Sequence, residues 1–173
     1  MSNLMFFSCK SDVEIISEIT ADSKFPSFIV KELETYYSDS GIVQVKIYAQ
    51  ELIRYEYTEE NYDEYPKGIE VEFFDNYMET TATLKSQYAI YYIDEKIWEA
   101  KYNVEVNNIA EDESLNTELL YWDLDNERIY SDNFVRIKTQ KEILFGRGFE
   151  SNQDFSKWRI LNPTGTIIID EDE

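Results

Sequence analysis

"YYSDSGIVQVKIYA", Tyr36 to Ala49, carries the pattern that decides the fold. After the polar turn Ser38–Gly41, Val43, Val45 and Ile47 alternate with Gln44, Lys46 and Tyr48. A period of two puts the three aliphatic side chains on one face of a strand. Upstream, Ile29–Tyr37 is another strand-forming run, so the pair reads as a hairpin. Similar runs follow: "GIEVEFFD" from Gly68, "TTATLKSQYAIYY" from Thr80, "IWEAKYNVEVNN" from Ile97 and "TELLYWD" from Thr117. "DNERIYSDNFVRI" from Asp125, "KEILFGRG" from Lys141 and "GTIIID" from Gly165 complete the series. Turn signals such as "DNYME" and "IDEK" separate them at the spacing of an antiparallel all-β fold. A strand–turn–strand unit recurs in "KIWEAKYNVEV" (Lys96–Val106) and "RIYSDNFVRI" (Arg128–Ile137). That is the mark of stacked units that cannot each bury their own apolar face. Helical spacing is confined to Val13, Ile16 and Ile19, within Asp12–Thr20.

The composition narrows the function classes. The 173 residues suit one domain and are 43% hydrophobic and 16% aromatic, enough for a substantial core. Thirty-six acids against 16 bases give a formal charge of −20. Nucleic-acid binding draws its affinity from phosphate neutralisation and needs the opposite sign. With no histidine and one cysteine, His/Cys zinc sites, disulfides within the chain and Ser/His/Asp or Cys/His nucleophiles are excluded. No Gly-rich phosphate loop is present. The acidic Asp123–Glu127 lacks the glycine and terminal glutamate of an EF-hand and reads as a tight turn. The expectation is a protein without enzymatic activity, metal or cofactor.

Two local features remain. "LMFFSCKSD" (Leu4–Asp12) is a short apolar run ending at Cys9, the shape of a lipoprotein cleavage site with Cys9 as the lipidated residue. Only eight residues precede Cys9, fewer than a signal peptide needs, so this reading requires a start further upstream. "GFESNQDFSKWRI" (Gly148–Ile160) mixes a polar knot with Phe149, Phe155 and Trp158. It reads as a structural turn: Gly146 and Gly148 supply unusual backbone angles, polar side chains bond locally, and the aromatic residues pin the turn to the sheet end.

In order, "YSDSG", "GIEVEFFD", "SQYAIYY", "IWEAKYNVEVNN", "SLNTELLYWD", "ERIYSDNFVRI" and "GRGFESNQDF" resemble the LptC family, across roughly Phe28 to Ile169. The most specific elements are Leu115–Trp122 and Gly146–Ser151. The resemblance implies an open, twisted antiparallel β-jelly-roll, a boat-shaped stack of strands spanning 28–173, preceded by a lipobox-like segment and linker over 1–27. It also implies periplasmic lipopolysaccharide transport. Lipid would come from an inner-membrane ABC transporter and its permeases and pass to an LptA-like bridge protein of the same fold, with the N-terminus anchored in the inner membrane. A surface glycan-binding module is the alternative, suggested by 14 tyrosines.

The candidate groove residues are Val43, Val45, Ile47, Val71, Phe73, Trp98, Val104, Val106, Trp122, Val135 and Ile137. By pattern alone they either line a trough or pack together as a closed core. Lys46, Lys101, Arg128 and Arg136 are candidates for lipid phosphates at the groove mouth. The terminal strand with Thr166, Ile167, Ile168 and Ile169, after the turn "NPTG", is the candidate partner edge.

Overall fold

A computed structural model describes residues 25–56 and 60–169. Cys9, the helical spacing over Asp12–Thr20 and the acidic tail lie outside them. All regular structure among the described residues is β, in one antiparallel sheet of eleven strands. These are β1 (Phe28–Asp39), β2 (Ile42–Tyr55), β3 (Tyr62–Tyr65), β4 (Ile69–Phe74), β5 (Thr80–Ser86) and β6 (Tyr88–Tyr92). Then follow β7 (Ile97–Asn108), β8 (Glu113–Asp123), β9 (Arg128–Lys138), β10 (Glu142–Asn152) and β11 (Trp158–Ile168).

The topology is a meander folded across its middle. β3 and β4 follow each other along β2, pairing with its C-terminal and N-terminal halves. β6 and β5 follow each other along β7, pairing with its N-terminal and C-terminal halves. From β7 onward each ladder slips register near its centre, between Lys101 and Val104, Thr117 and Tyr121, Arg147 and Phe149, and Phe145 and Gly146. Such bulges bend the strands. The bend divides the sheet into two half-sheets. The first contains β4, β5 and residues 42–49, 104–108, 113–117, 134–138 and 142–147. The second contains β3, β6 and residues 50–55, 97–101, 119–123, 128–131 and 149–152. Phe73 of the first meets Trp122 of the second at 5.4 Å between ring centroids, and Phe155 at 5.8 Å, so the halves face each other across one core.

The bulges free backbone groups from the ladder, and interior polar side chains bond to them. Ser131 Oγ donates to the Leu119 carbonyl at 2.6 Å, and Thr117 Oγ1 to the Phe134 carbonyl at 2.9 Å. Gly146 has no positive φ; its size is what the bend requires. A Cβ there would lie 2.3 Å from Ile160 Cγ2 and 2.6 Å from the Asn162 carbonyl oxygen. "NPTG" is not a turn before the last strand. It lies inside β11, where Pro163 pairs with Gly146 at the register slip, and an edge strand tolerates a proline.

The knot between β10 and β11 is a turn over residues 153–157. Asn152 Oδ1 accepts from the Lys157 amide and Asp154 Oδ1 from the Ser156 amide, both at 2.9 Å. Phe149 and Phe155 are buried, and Trp158 Nε1 donates to Glu113 at 2.7 Å.

Candidate functional site

The interior between the half-sheets gathers most of the candidate groove residues. Val45, Ile47, Val71, Phe73, Val104, Val106, Val135 and Ile137 are buried in one cluster. Trp98 and Trp122 are half-buried against it, and half-buried Val43 lies towards the β1–β2 hairpin. Cross-strand pairing accounts for this: Val45 sits opposite Phe73, and Leu84 opposite Val106. Their neighbours Lys46 and Glu72 pair on the outer face. Leu52, Tyr65, Leu120 and Ile129 share the core without having been singled out by sequence.

Two apolar cavities lie within this interior. One is lined by Val106, Leu115, Ile137, Phe149, Phe155 and Trp158, the other by Ile47, Val71, Leu84, Trp98, Leu120 and Trp122, among others. Each offers about 20 Å³, room for one water molecule. The walls are therefore in contact, and an acyl chain enters only if they part.

None of the four candidate phosphate-binding cations points into the interior. Lys46 bridges Glu34 at 3.3 Å, Lys101 bridges Glu99 at 3.0 Å and Arg136 donates to Asn116 at 3.2 Å, all on outer faces. The alternation that buries Val45 and Val135 turns Lys46 and Arg136 outward. Arg128, at the start of β9, lies over the Tyr130 ring, 4.3 Å from its centroid, and so also on an outer face. The Asp123–Glu127 segment includes the β8–β9 turn. Asn126 donates to the Asp123 carboxylate through its side chain at 2.7 Å and its amide at 3.0 Å, holding that carboxyl below its ordinary pKa. Among the described residues no group of three acidic or thiol side chains could hold a metal ion.

The outer face of the second half-sheet is rich in tyrosine. Tyr55 stacks on Tyr62 at 4.8 Å and Tyr121 on Tyr130 at 5.1 Å. These ring faces are turned towards each other, unlike the open platform of a glycan-binding module. Tyr88 donates to Glu64 at 2.8 Å; Tyr92 and Tyr121 both donate to Glu99 at 3.0 Å. Partial burial, then the carboxylate bond, raises the pKa of Tyr88 and Tyr92 and pushes Tyr121 up to about 12. Such a group keeps its proton in the native state after the unfolded chain has lost it at about pH 10. Its contribution is complete below pH 10 and is lost as pH rises through the folded value. Stability measured by urea unfolding should therefore fall steadily above about pH 10, with tyrosinate absorbance lagging in the native state. Native-state titration of all tyrosines at about 10 would contradict this.

The family model described as "Lipopolysaccharide-assembly, LptC-related" matches residues 3–168, and the chain belongs to the LptC family. The comparison with curated proteins gives no match. Membership makes this protein a cell-envelope component of lipopolysaccharide transport, in a family of transport proteins rather than enzymes.

Proposed function

We propose that this LptC-family protein carries lipopolysaccharide acyl chains between its two half-sheets. Lipid arrives from an inner-membrane ABC transporter and passes to a periplasmic bridge protein of the same fold. The observation that carries the reading is the interior itself: eight of the eleven candidate groove residues are buried along the first half-sheet, and Trp98 and Trp122 of the second pack against the same apolar cluster. Each methylene moved from water into such a lining gains about 0.8 kcal/mol. The acidic side chains of β4 lie on its outer face, so much of the local negative charge is kept off the acyl path. In this reading Cys9 carries the lipid anchor that holds the N-terminus at the inner membrane.

The test is parity. A photo-crosslinker at Val45, Phe73 or Val106 should capture lipopolysaccharide, and one at Lys46 or Glu72 should capture much less. Equal capture from both faces would reject the interior path. Capture of the delipidated glycan alone would favour the carbohydrate-binding alternative.

The handover is assigned to the β11 edge. Among the described residues β11 pairs only with β10, and Ile167 and Ile168 are exposed. The strand ends at Ile168; the Ile169 amide donates to the Lys141 carbonyl at 2.8 Å. Antiparallel alternation then turns the backbone N–H of Ile168 and Thr166 away from β10, towards the open edge. Ile168→Pro should remove one outward donor without breaking a β10 bond. Binding to a bridge protein of the same fold should weaken about tenfold, with the circular-dichroism spectrum unchanged. Full binding by a folded variant would dismiss the edge assignment.

A further inference from the structure

The bend closes one side of the interior, and on the opposite side the far rims of the two half-sheets meet. Cross-strand pairing defines both rims. Phe73, Ala82, Asn108 and Glu113 form one, each opposite the next on neighbouring strands. Trp98, Trp122, Ile129, Ser151 and Trp158 form the other in the same way. The turn over residues 153–157 leaves the second rim and reaches across to the first. The Phe155 ring is 4% exposed and meets Phe73 edge-on at 5.8 Å. Its carbonyl accepts from Asn108 Nδ2 at 3.3 Å. Trp158, where β11 begins, donates to Glu113 Oε2 through Nε1 at 2.7 Å. Phe155 and Trp158 also line the apolar cavity shared with Val106, Leu115, Ile137 and Phe149.

Few contacts hold this turn to the opposite rim. Among the described residues no ladder joins the two rims, so side chains and one carbonyl carry the closure. The other four turn residues, Gln153, Asp154, Ser156 and Lys157, are exposed. The turn's own bonds, Asn152 with Lys157 and Asp154 with Ser156, stay on the second rim, so it can lift as a unit. Phe155 has a φ of +58°, a left-handed conformation that a bulky residue adopts only where its surroundings impose it. Burial of its ring against Phe73 imposes it here, and withdrawal of the ring frees the backbone to relax.

We propose that the β10–β11 turn is a strap across the mouth of the interior, and that acyl chains enter sideways beneath it when it releases Asn108 and Glu113. Phe155 and Trp158 then leave the first rim with the turn, and the cavity they line opens towards solvent. The lipid half of this assignment rests on the interior path proposed above; the strap itself does not.

The experiment ties the strap to the opposite rim and then releases it in the same molecule. Asn108→Cys and Ser156→Cys, in a full chain carrying Cys9→Ser, place two thiols at the Asn108–Phe155 contact, where a reducible bis-maleimide joins them. Entry is read with two ligands. N-phenylnaphthylamine reports by its fluorescence gain in apolar surroundings, and lipopolysaccharide by capture at a crosslinker placed at Val106. Bridging should slow the entry of both about tenfold, and reductive cleavage should restore it. Bridged and cleaved forms share one sequence, so a folding defect does not produce the difference. Trp158→Phe removes the bond to Glu113 but keeps an aromatic ring, and should speed dye entry about tenfold. Lys157→Gln, exposed in the same turn, should leave it unchanged. Equal entry into bridged and cleaved protein overturns the strap while leaving the interior path standing. Dye entry governed by the bridge, with no lipid captured in any form, keeps the strap and removes the interior path. Entry of neither ligand in any form overturns both.

Discussion

Gly68→Ala should destabilise the protein by about 3–5 kcal/mol, whereas Gly41→Ala should cost about 1 kcal/mol. Both glycines have positive φ, +79° and +84°, so both substitutions meet the left-handed penalty. Their surroundings differ. A Cβ on Gly41, in the β1–β2 turn, has nothing within 4 Å. A Cβ on Gly68 would lie 1.9 Å from the Ser86 carbonyl oxygen and 2.9 Å from the Gln87 Cα and carbonyl carbon. All three are backbone atoms, and they occupy the corner where β3 passes into β4 and β5 into β6. Relief would require one folded strand to move off the other, opening the bend between the half-sheets. Urea unfolding of the two variants gives the comparison directly. Equal losses would mean that the corner is soft and that φ alone sets the cost.

That corner also shows where the sequence was legible and where it was not. Alternation assigned Val45, Ile47, Val71 and Phe73 to one face, and the structure packs all four inside. It also delimited the hairpins at Ser38–Gly41 and 75–79, because polar turn residues interrupt apolar runs. The bend left a weaker trace. In β2 the inward positions are Val45, Ile47 and Ala49, then Leu52, so the phase slips by one residue without a turn. A one-residue slip exchanges faces. The period-two signal therefore stops at Ala49, although the strand continues to Tyr55. β8 does the same between Thr117 and Leu120. Such phase breaks look like the ends of strands but are here the places where strands cross from one wall to the other. β3 escaped notice because four residues, Tyr62–Tyr65, are too few to show a period. Ala49, Ala82, Ala89 and Ala100 are almost fully buried, yet an alanine gives no directional signal in a sequence. The outer face was half visible: Arg128 was readable as a candidate cation, but Arg159 sat in a segment that reads as a turn. Their shared partner Glu150 comes from the pairing of β10 with both β9 and β11.

The buried charge pair at the other end of the interior sets the second large effect. Arg54 Nε and Nη2 each donate to Asp63 at 2.6 Å, and the guanidinium lies 5.1 Å from the Phe28 ring centroid. The Asp63 side chain is only 4% exposed, against 31% for Arg54. Cross-strand pairing puts Asp63 opposite Tyr91, and Tyr91 opposite Trp98, so the pair faces the apolar interior. The bond to Asp63 is the main reason that Arg54 holds its proton above its ordinary pKa. An ion pair in such a place contributes little net stability over an apolar pair, because both ions lose water. Removing one partner is different: it leaves a buried charge without compensation, at a cost of about 3–5 kcal/mol. Arg54→Met should therefore be severe, and Arg54→Met/Asp63→Leu should recover most of the loss. If the double variant is as unstable as the single one, the damage lies in lost packing under Phe28 rather than in the stranded carboxylate. A recovered double variant poses a sharper question, because β3 then retains only its backbone ladder and apolar contacts to fix its register against β2. Crosslinking between positions 53 and 64, which pair in the native register, reads that out. Loss of this crosslink in a stable double variant would show that the charge pair selects the pairing that closes this end of the interior, while apolar packing supplies the stability.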